Sequence, residues 1–334
     1  MFDVRCWTFD VHQFLFRFDR PFAWPAAGLN PEPGTDMSTG TLLQFVLDIL
    51  SLGSLYALMA LGLVIVYGIL KLVNFAYGEL VMVAGYTLYL FNATPFPWLA
   101  MALVAILMAI ATGVLTEFVA FKPVRAKSVT AVLITSFAFS TLLQNAALLF
   151  ISPRARNVPM PDIFTRSVEI LDVVIPIRNL ITIACALLML SVFSFALKRT
   201  VLGLALRAAA SQFRMARMVG IPANMIISLA FAISGLFAGV VAILWLGRIG
   251  SVVPGIGLEP LLVAFIATVI GGMRSLVGAV VGGYLLALID VSFNYGLSQH
   301  LLGFRDAFTF SFVILILLFR PSGLIKGPEA GQRS

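Results

Sequence analysis

Long apolar runs without a charged side chain constrain this chain more than any other feature. Residues 49–70 and 80–116 contain no Asp, Glu, Lys or Arg, and similar stretches recur as far as residue 319. A helix needs about 20 predominantly apolar residues to cross the hydrocarbon core of a bilayer. At 60% hydrophobic and 11% charged residues, the composition lies far from that of a soluble domain. The sequence therefore predicts a polytopic membrane protein.

The predicted fold class is all-α, a transmembrane helical bundle of about 8–10 spans in which some helices are broken or re-entrant. Single spans are predicted at residues 49–70, 128–153, 179–197, 218–247 and 301–319, and two more at 80–116 around a turn at 92–97. Residues 260–289 are divided at Gly271-Gly272 into two runs, each shorter than a full crossing. This pattern indicates either one kinked span or a broken pair.

The distribution of basic residues predicts the orientation of the spans. Residues 122–127 and 198–217 are basic loops, the second of them without acidic neighbours, and cytoplasmic loops of membrane proteins carry an excess of Lys and Arg. The tail, with Arg320, Lys326 and Arg333, also fits the cytoplasm, and this requires an odd number of crossings after Arg217, as a broken pair would supply. We expect a multi-pass protein of the bacterial plasma (inner) membrane with the lipid bilayer as its surroundings.

A net charge of +7 raises the question of nucleic-acid binding. The basic residues flank apolar runs and do not interleave with aromatic residues on one surface, so no nucleic-acid partner is predicted. Cys6 and Cys185 lie far apart in the sequence, and His12 and His300 stand alone, so no metal site is predicted either.

Three segments are predicted along the chain. Residues 1–40 form an N-terminal extension that is disordered or reflects a start site upstream of a true first residue at Met37. The alternative is an amphipathic surface segment that uses its aromatic residues, Phe14, Phe16, Phe18 and Trp24. Residues 41–329 form the transmembrane domain, and residues 330–334 form a C-terminal tail.

Polar residues at membrane depth are candidates for a substrate pathway. Asn74, Gly78 and Glu79 follow the first span directly, and a polar group within the membrane needs partners or water. The alternative is that Asn74 and Glu79 complete helix ends at a cytoplasmic turn. Glu117 and Asp290 lie near predicted span ends, where an interfacial position is expected.

The segment 202–222 is rich in Ala, Leu, Met, Arg and Gln, which favour helices, and it ends at Gly220 and Pro222. It predicts one or two short helices along the cytoplasmic face, with Leu204, Met215, Met218 and Val219 available to the groove of a partner. The alternative is a basic helix that binds anionic lipid headgroups.

Small residues at helix-packing spacing occur in two other segments, at Gly235 with Gly239 and at Gly278 with Gly282.

Six separated motifs carry a resemblance to a known family. They occur in order between about residues 41 and 329: Leu52-Gly53-Ser54-Leu55-Tyr56-Ala57-Leu58, Val66-Tyr67-Gly68, Asn74-Phe75-Ala76-Tyr77-Gly78-Glu79, the segment 207–222, Gly271-Gly272 followed by residues 278–283, and Arg320-Pro321-Ser322-Gly323-Leu324. Together they resemble the LivH type of permease subunit from branched-chain amino acid ABC importers. Tyr77 departs from the His that is usual in that family.

The resemblance implies a half-transporter without chemistry of its own. Its partners would be a homologous second permease of the LivM type, two ABC ATPase subunits and an extracytoplasmic solute-binding protein. No Gly-x-x-x-x-Gly-Lys-Ser/Thr phosphate loop occurs in the sequence, so ATP hydrolysis is expected in another chain, and neither a catalytic residue nor a cofactor is expected in this one.

Within the function that the resemblance implies, the residue pattern alone suggests which residues serve each task of such a subunit. The substrate pathway would use Asn74, Gly78 and Glu79 together with the suspected helix break at Gly271 and Gly272, since broken helices offer backbone donors and acceptors. The segment 202–222 would be the loop that couples to the ATPases, through Arg207, Ala209, Arg214, Arg217 and Gly220.

Several alternatives stay open at this point. The substrate of such a permease could equally be urea, a short amide or another amino acid. An ion-coupled secondary transporter or channel would place coupling carboxylates inside the spans, where only Glu79, Glu117 and Asp290 come near. A membrane-embedded enzyme would need a His-rich or paired-acid cluster, and the sequence has none of these patterns.

Overall fold

The structure, a computed structural model, describes residues 39–92, 97–125, 128–158, 160–170, 173–211, 218, 222–320 and 323–325. The predicted N-terminal extension (apart from its last two residues), the C-terminal tail and most of the turn at 92–97 lie outside these ranges. Arg214, Arg217 and Gly220 of the predicted coupling loop lie outside them as well.

The described residues form ten α-helices. Their bounds are α1 (Thr39–Leu70), α2 (Tyr77–Phe91), α3 (Trp98–Thr116), α4 (Val129–Phe150), α5 (Ile177–Arg199), α6 (Val201–Ser211), α7 (Ala223–Ile249), α8 (Leu258–Gly271), α9 (Leu276–Gly296) and α10 (Arg305–Phe319). A π-helical turn, Glu117–Phe121, continues α3, and short 3-10 turns cover Asp162–Phe164 and Leu302–Phe304. The all-α fold class is confirmed.

Seven helical segments among the described residues are long and apolar enough to cross a membrane: α1, α3 with its π-helical turn, α4, α5, α7, α9, and α10 together with the 3-10 turn that precedes it. Helices α2 and α8 are also apolar but have only 15 and 14 residues, which is less than a full crossing requires. The bundle therefore contains seven full-length helices and two half-length ones, besides the short α6.

Two predicted span limits were wrong. Helix α1 begins at Thr39, ten residues before the predicted start, because the single charge that interrupts the apolar pattern, Asp48, is bonded by Asn179 and Tyr295 and does not end the helix. The second half of the 260–289 region is a full-length helix, since α9 continues to Gly296. The break itself lies where it was predicted, with a turn at Gly272–Ser275 between α8 and α9.

Helices α1 and α7 form the centre of the bundle, and α4, α5 and α10 form its periphery. Almost every side chain of α1 after Ser51 is buried, whereas α5 and α10 bury very few of their apolar side chains. Exposed Leu, Val and Phe on a helix of this length are typical of contact with lipid or another membrane subunit.

Short strands cover one end of the bundle. β1 (Arg156–Asn157) pairs antiparallel with β4 (Ser251–Val252), and β2 (Ser167–Ile170) pairs antiparallel with β3 (Val173–Pro176). These strands were not predicted, because the loop 154–178 shows balanced charge but no clear alternation. The strands tie the loop after α4 to the residue pair after α7, so the C-terminal ends of α4 and α7 share this end, which we call the strand end.

The basic residues gather at the other end, which we call the basic end and define by Lys71, Arg125, Arg199 and Arg207. Nη2 of Arg125 donates a 2.5 Å hydrogen bond to Oδ1 of Asn224 at the start of α7. Nζ of Lys71 donates to the carbonyl of Ala210 in α6 at 3.3 Å. The described residues of the two basic loops that were predicted to share a face therefore lie at the same end of the bundle, one beside the start of α7 and the other beside the end of α1.

Candidate substrate path and coupling surface

Helix α2 starts inside the bundle. The chain leaves α1 at Leu70 and turns back, so that the hydroxyl of Tyr77 lies against Gly62, about 12 Å along the axis of α1 from its end. Asn74 holds this turn: its Oδ1 accepts a 3.0 Å hydrogen bond from the backbone N–H of Ala76. An Asn side chain commonly forms this local bond because it can bind the backbone two residues on.

Glu79 lies in the first turn of α2 and is 2% exposed. Its Oε1 accepts hydrogen bonds from Oγ of Ser140 at 2.9 Å and from Nε2 of Gln144 at 2.6 Å. Ser140 and Gln144 lie one turn apart near the middle of α4, so they face the same side of that helix. Glu79 thus joins α2 to α4 at mid-height of the bundle, with its second oxygen, Oε2, unpartnered among the described residues.

Helix α8 also starts at this level. A Cβ added to Gly78 would overlap the carbonyl of Gly257, and one added to Gly257 would overlap the carbonyl of Gly78. The N-terminal ends of two half-length helices therefore meet backbone to backbone, which only glycine permits at this separation. Both helices carry an acid in the first turn, Glu79 and Glu259, where a carboxylate complements the helix dipole.

The structure brings Asn74, Gly78 and Glu79 together but places Gly271 and Gly272 elsewhere. These two glycines end α8, about 21 Å along its axis from Gly257. Gly271 packs against Gly278 of α9, and Gly272, at a left-handed φ of 107°, lies against Gly323. The helix break therefore faces the C-terminal segment, whose Leu324 N–H donates to the carbonyl of Ile270 at 2.8 Å. The pathway role of these five residues stays a prediction.

The glycines predicted for helix packing lie between helices. Gly235 and Gly239 of α7 face the backbone of α3 at Ala109 and Ile106. Gly278 and Gly282 of α9 face α8 in the same way. At each of these positions an added methyl group would meet backbone atoms of the neighbouring helix, so the absent side chain sets the distance between the helices.

Helix α6 is the described part of the predicted coupling loop, and it is amphipathic. Gly203, Leu206 and Ala209 face the bundle and are buried, while Arg207 is exposed. Exposed apolar side chains lie on the outer side as well, namely Val201, Leu202 and Leu204. Ala209 thus packs against the bundle, and the surface available to a partner is the one that carries Leu204 and Arg207.

Lys71 connects α6 to the centre of the bundle. Besides its bond to Ala210, its Nζ donates a 2.5 Å hydrogen bond to the carbonyl of Gly68 in the last turn of α1. Partial burial, and then the positive charge of Arg274, lower the pKa of Lys71. Hydrogen bonds to the two carbonyl oxygens offset the cost of partly burying the ammonium group, and they hold it between α1 and α6.

Two polar clusters between helices were not predicted from the sequence. At the strand end, Asp48 of α1 accepts hydrogen bonds from Asn179 of α5 at 3.0 Å and from Tyr295 of α9 at 2.9 Å, while Arg248 of α7 donates to Ser51 and to Asn179. Lone charges next to apolar runs were the only available signal. Their partners come from four different helices, which a single sequence does not pair.

The second cluster contains Asp290, expected to be interfacial but in fact buried between helices. Oδ2 of Asp290 accepts a 2.9 Å hydrogen bond from Tyr56, and Oδ1 lies 3.2 Å from Nε of Arg305. Glu117, expected at an interface too, is buried and lies 3.2 Å from Arg125. Neither acid stands isolated in the apolar core, because each has an arginine partner.

Among the described residues no group of three or more His, Cys, Asp or Glu side chains is placed to hold a metal ion. The geometry is instead that of a membrane transport protein, with interrupted helices that meet at mid-height of an apolar bundle. Residues 45–319 match the family described as branched-chain amino acid transport system / permease component, and the chain belongs to this family. It is a multi-pass inner-membrane protein.

Individual relatives agree with this assignment. The chain is 33% identical to the high-affinity branched-chain amino acid transport system permease protein BraD of Pseudomonas aeruginosa over an alignment of 299 residues. This alignment covers 86% of this chain and 96% of that protein. The chain is 32% identical over 302 residues to the permease protein LivH of the corresponding system of Escherichia coli, with the same coverage of both chains.

Proposed function

We propose that this chain is one of two permease subunits of an ATP-driven importer that takes up branched-chain amino acids delivered by an extracytoplasmic binding protein. The observation that carries the proposal is the identity of 32–33% to permease proteins of such systems over 96% of their length. The partners are a homologous second permease, two ATPase subunits and the binding protein. No cofactor belongs to this chain, and ATP is hydrolysed in the ATPase subunits.

The half-helix junction supports a transport role. A zwitterionic substrate needs donors for its carboxylate and acceptors for its ammonium group, and helix N-termini that end inside a membrane offer backbone donors. Asn74, Gly78 and Glu79 lie at such a junction, with Nδ2 of Asn74 buried and unpartnered among the described residues. Gly271 and Gly272, at the other end of α8, remain part of the proposed substrate path.

The experiment is reconstitution of the chain with a second permease, the two ATPases and the binding protein in lipid vesicles. Accumulation of radiolabelled leucine that depends on ATP and on the binding protein is the expected result. Uptake of urea or acetamide in place of leucine would assign the alternative substrate class. Accumulation by this chain alone, without the ATPases, would contradict the proposal and favour an ion-coupled transporter.

In this proposal, the ATPase subunits transmit the free energy of ATP hydrolysis to the bundle through the segment 202–222. The outer surface of α6 offers Leu204 and Arg207, and the residues Arg214, Arg217 and Gly220 continue the same segment. Exposed apolar side chains among arginines on a surface that faces water fit the groove of a partner protein. Coupling then requires only that ATPase closure move this surface relative to the bundle.

A charge-reversal variant tests the coupling role. We expect Arg214→Glu with Arg217→Glu to abolish substrate-stimulated ATP hydrolysis of the reconstituted complex, because reversed charges would repel the partner surface that the arginines fit. Membrane insertion should be unchanged. The matched control is Arg166→Glu, an exposed arginine at the strand end. Unaltered stimulation in the double variant would remove the segment from the mechanism.

A further inference from the structure

Helix α8 has one buried face and one open face. Pro260, Leu261, Ala264 and Ala267 pack into the bundle. Leu258 and Leu262, by contrast, are 56% and 41% exposed, and Glu259 beside them is exposed as well. The open face therefore presents a carboxylate between two leucines.

Glu259 lies at mid-height of the bundle. It follows Gly257, whose backbone touches Gly78, and Gly78 adjoins Glu79, which bonds the middle of α4. The level of Glu259 is thus that of the hydrocarbon core. An ionised carboxylate exposed to lipid at this depth costs several kcal/mol. If Glu259 is charged, the open face of α8 therefore faces water or polar groups of another subunit.

The charges around Glu259 favour a cation. Asp306, Arg305 and Asp290 all act on it electrostatically. Arg305 is shared between Asp290 at 3.2 Å and Asp306 at 3.1 Å, so its guanidinium already pairs with two carboxylates. Glu259 itself has no hydrogen bond or ion pair of 4.0 Å or less with a described residue.

An unused hydroxyl lies on the same side of α10. Thr309, one turn after Arg305 and therefore on the same face, is 4% exposed, and its Oγ1 has no hydrogen-bond partner among the described residues. A buried hydroxyl without a partner is uncommon, since such groups are normally hydrogen-bonded to protein, water or a ligand. The surroundings of Glu259 thus include more carboxylates than cations, and the next turn of α10 has an unsatisfied hydroxyl among the described residues.

We propose that Glu259 lines the water-filled substrate path of the assembled importer and that its carboxylate binds the ammonium group of the amino-acid substrate. The inference rests on the proposed transport function and adds the residue that recognises the positive end of the substrate. Substrates without an ammonium group would lose this interaction.

Cysteine accessibility tests the path. In a chain carrying Cys6→Ser and Cys185→Ser, we would assemble the complete importer with Glu259→Cys and measure labelling by a cationic, membrane-impermeant methanethiosulfonate reagent. Because thiols react as thiolates, which need water, Glu259→Cys should react about tenfold faster than Leu188→Cys on the exposed apolar face of α5. At Leu262→Cys on the same open face, where Glu259 is retained, leucine delivered by the binding protein should slow labelling, whereas 4-methylpentanoate, which lacks the ammonium group, should not.

Two further variants keep the test decisive. If Glu259→Cys fails to assemble, Leu262→Cys one turn along the same open face should show the same fast labelling. Glu259→Gln should lower kcat/KM for leucine about tenfold or more, as expected for loss of a charge-assisted hydrogen bond. Labelling no faster than at Leu188→Cys, or labelling of Leu262→Cys that leucine does not slow, would overturn the inference. Failure of the unmodified importer to transport leucine would instead refute the proposed function.

Discussion

Lys71 shows how one residue joins the centre of the bundle to its basic surface. It adopts a left-handed backbone with φ of 57°, which is uncommon for a side chain other than glycine and here ends α1. The strained backbone directs the ammonium group to the carbonyls of Gly68 and Ala210. Since α6 belongs to the proposed coupling segment, Lys71 is placed to transmit its movement to α1.

We predict that Lys71→Met weakens coupling without preventing assembly. The methionine keeps the length of the side chain but removes both hydrogen bonds, each worth about 0.5–1.5 kcal/mol, so substrate-stimulated ATP hydrolysis should fall about two- to tenfold. The measurement is ATP hydrolysis of the reconstituted importer with and without loaded binding protein. Lys198→Met, at an exposed lysine of the same end, is the control. Equal stimulation in both variants would show that the link between α1 and α6 carries no coupling energy.

The sequence indicated some of these residues and not others, for a physical reason. Asn74 and Glu79 were predicted because polar residues between two apolar runs can be recognised in the sequence, whatever the direction of their side chains. Glu259 was missed because it stands just outside an apolar run and resembles an ordinary span end. Only the contact between Gly257 and Gly78, nearly 180 positions apart, places it at mid-height. Depth in the bundle depends on tertiary contacts that no local pattern encodes.

Among the helices, existence and type were predicted well and endpoints less well. Apolar runs identified α3, α4, α5, α7 and α10, because a full crossing requires a long stretch without charge. The prediction of a full span at the start of 80–116 was wrong, because α2 has only 15 residues. For α8 the prediction stayed open, since a run of about 14 residues fits equally a broken helix and part of a longer one. The junction of α2 and α8 depends on the backbone contact between Gly78 and Gly257, and neither glycine on its own predicts this contact from the sequence.

A pair of glycine variants tests the junction of α2 and α8. Gly257→Ala would force a methyl group into the backbone of Gly78, so the helix ends must separate. We expect a loss of about 1–3 kcal/mol in the free energy of unfolding, typical of overpacking, and a strong loss of leucine uptake. Thermal unfolding of the detergent-solubilised chain measures the first, and vesicle uptake the second.

Gly255→Ala is the matched control for this variant. Gly255 lies two residues earlier in the same turn, has no neighbouring atom within 4 Å of an added Cβ and is not in the left-handed region. Its replacement should change stability by no more than about 0.5 kcal/mol. A junction that tolerates Gly257→Ala as well as Gly255→Ala would contradict the close approach of the two helices.

The whole molecule is organised by two chemically different ends. The basic end gathers Lys71, Arg125, Arg199 and Arg207, while the strand end carries two small sheets and a loop whose arginines are balanced by acids. Between them, the outward faces of α4, α5 and α10 are apolar. This arrangement fits a protein whose basic end meets ATPases in the cytoplasm and whose strand end meets the binding protein outside, since positive charge concentrates on the cytoplasmic side.

The orientation can be tested on intact cells. In the cysteine-free chain, Arg154→Cys lies at the strand end and Arg199→Cys at the basic end, and both native side chains are exposed. A membrane-impermeant maleimide should label Arg154→Cys in spheroplasts, whereas Arg199→Cys should react only after the membrane is permeabilised. The physical reason is that moving basic segments across the membrane is unfavourable, so these segments stay on the side of synthesis. The reverse labelling pattern would place the arginine-rich surface of α6 outside the cell, where no ATPase could reach it, and would exclude the proposed coupling.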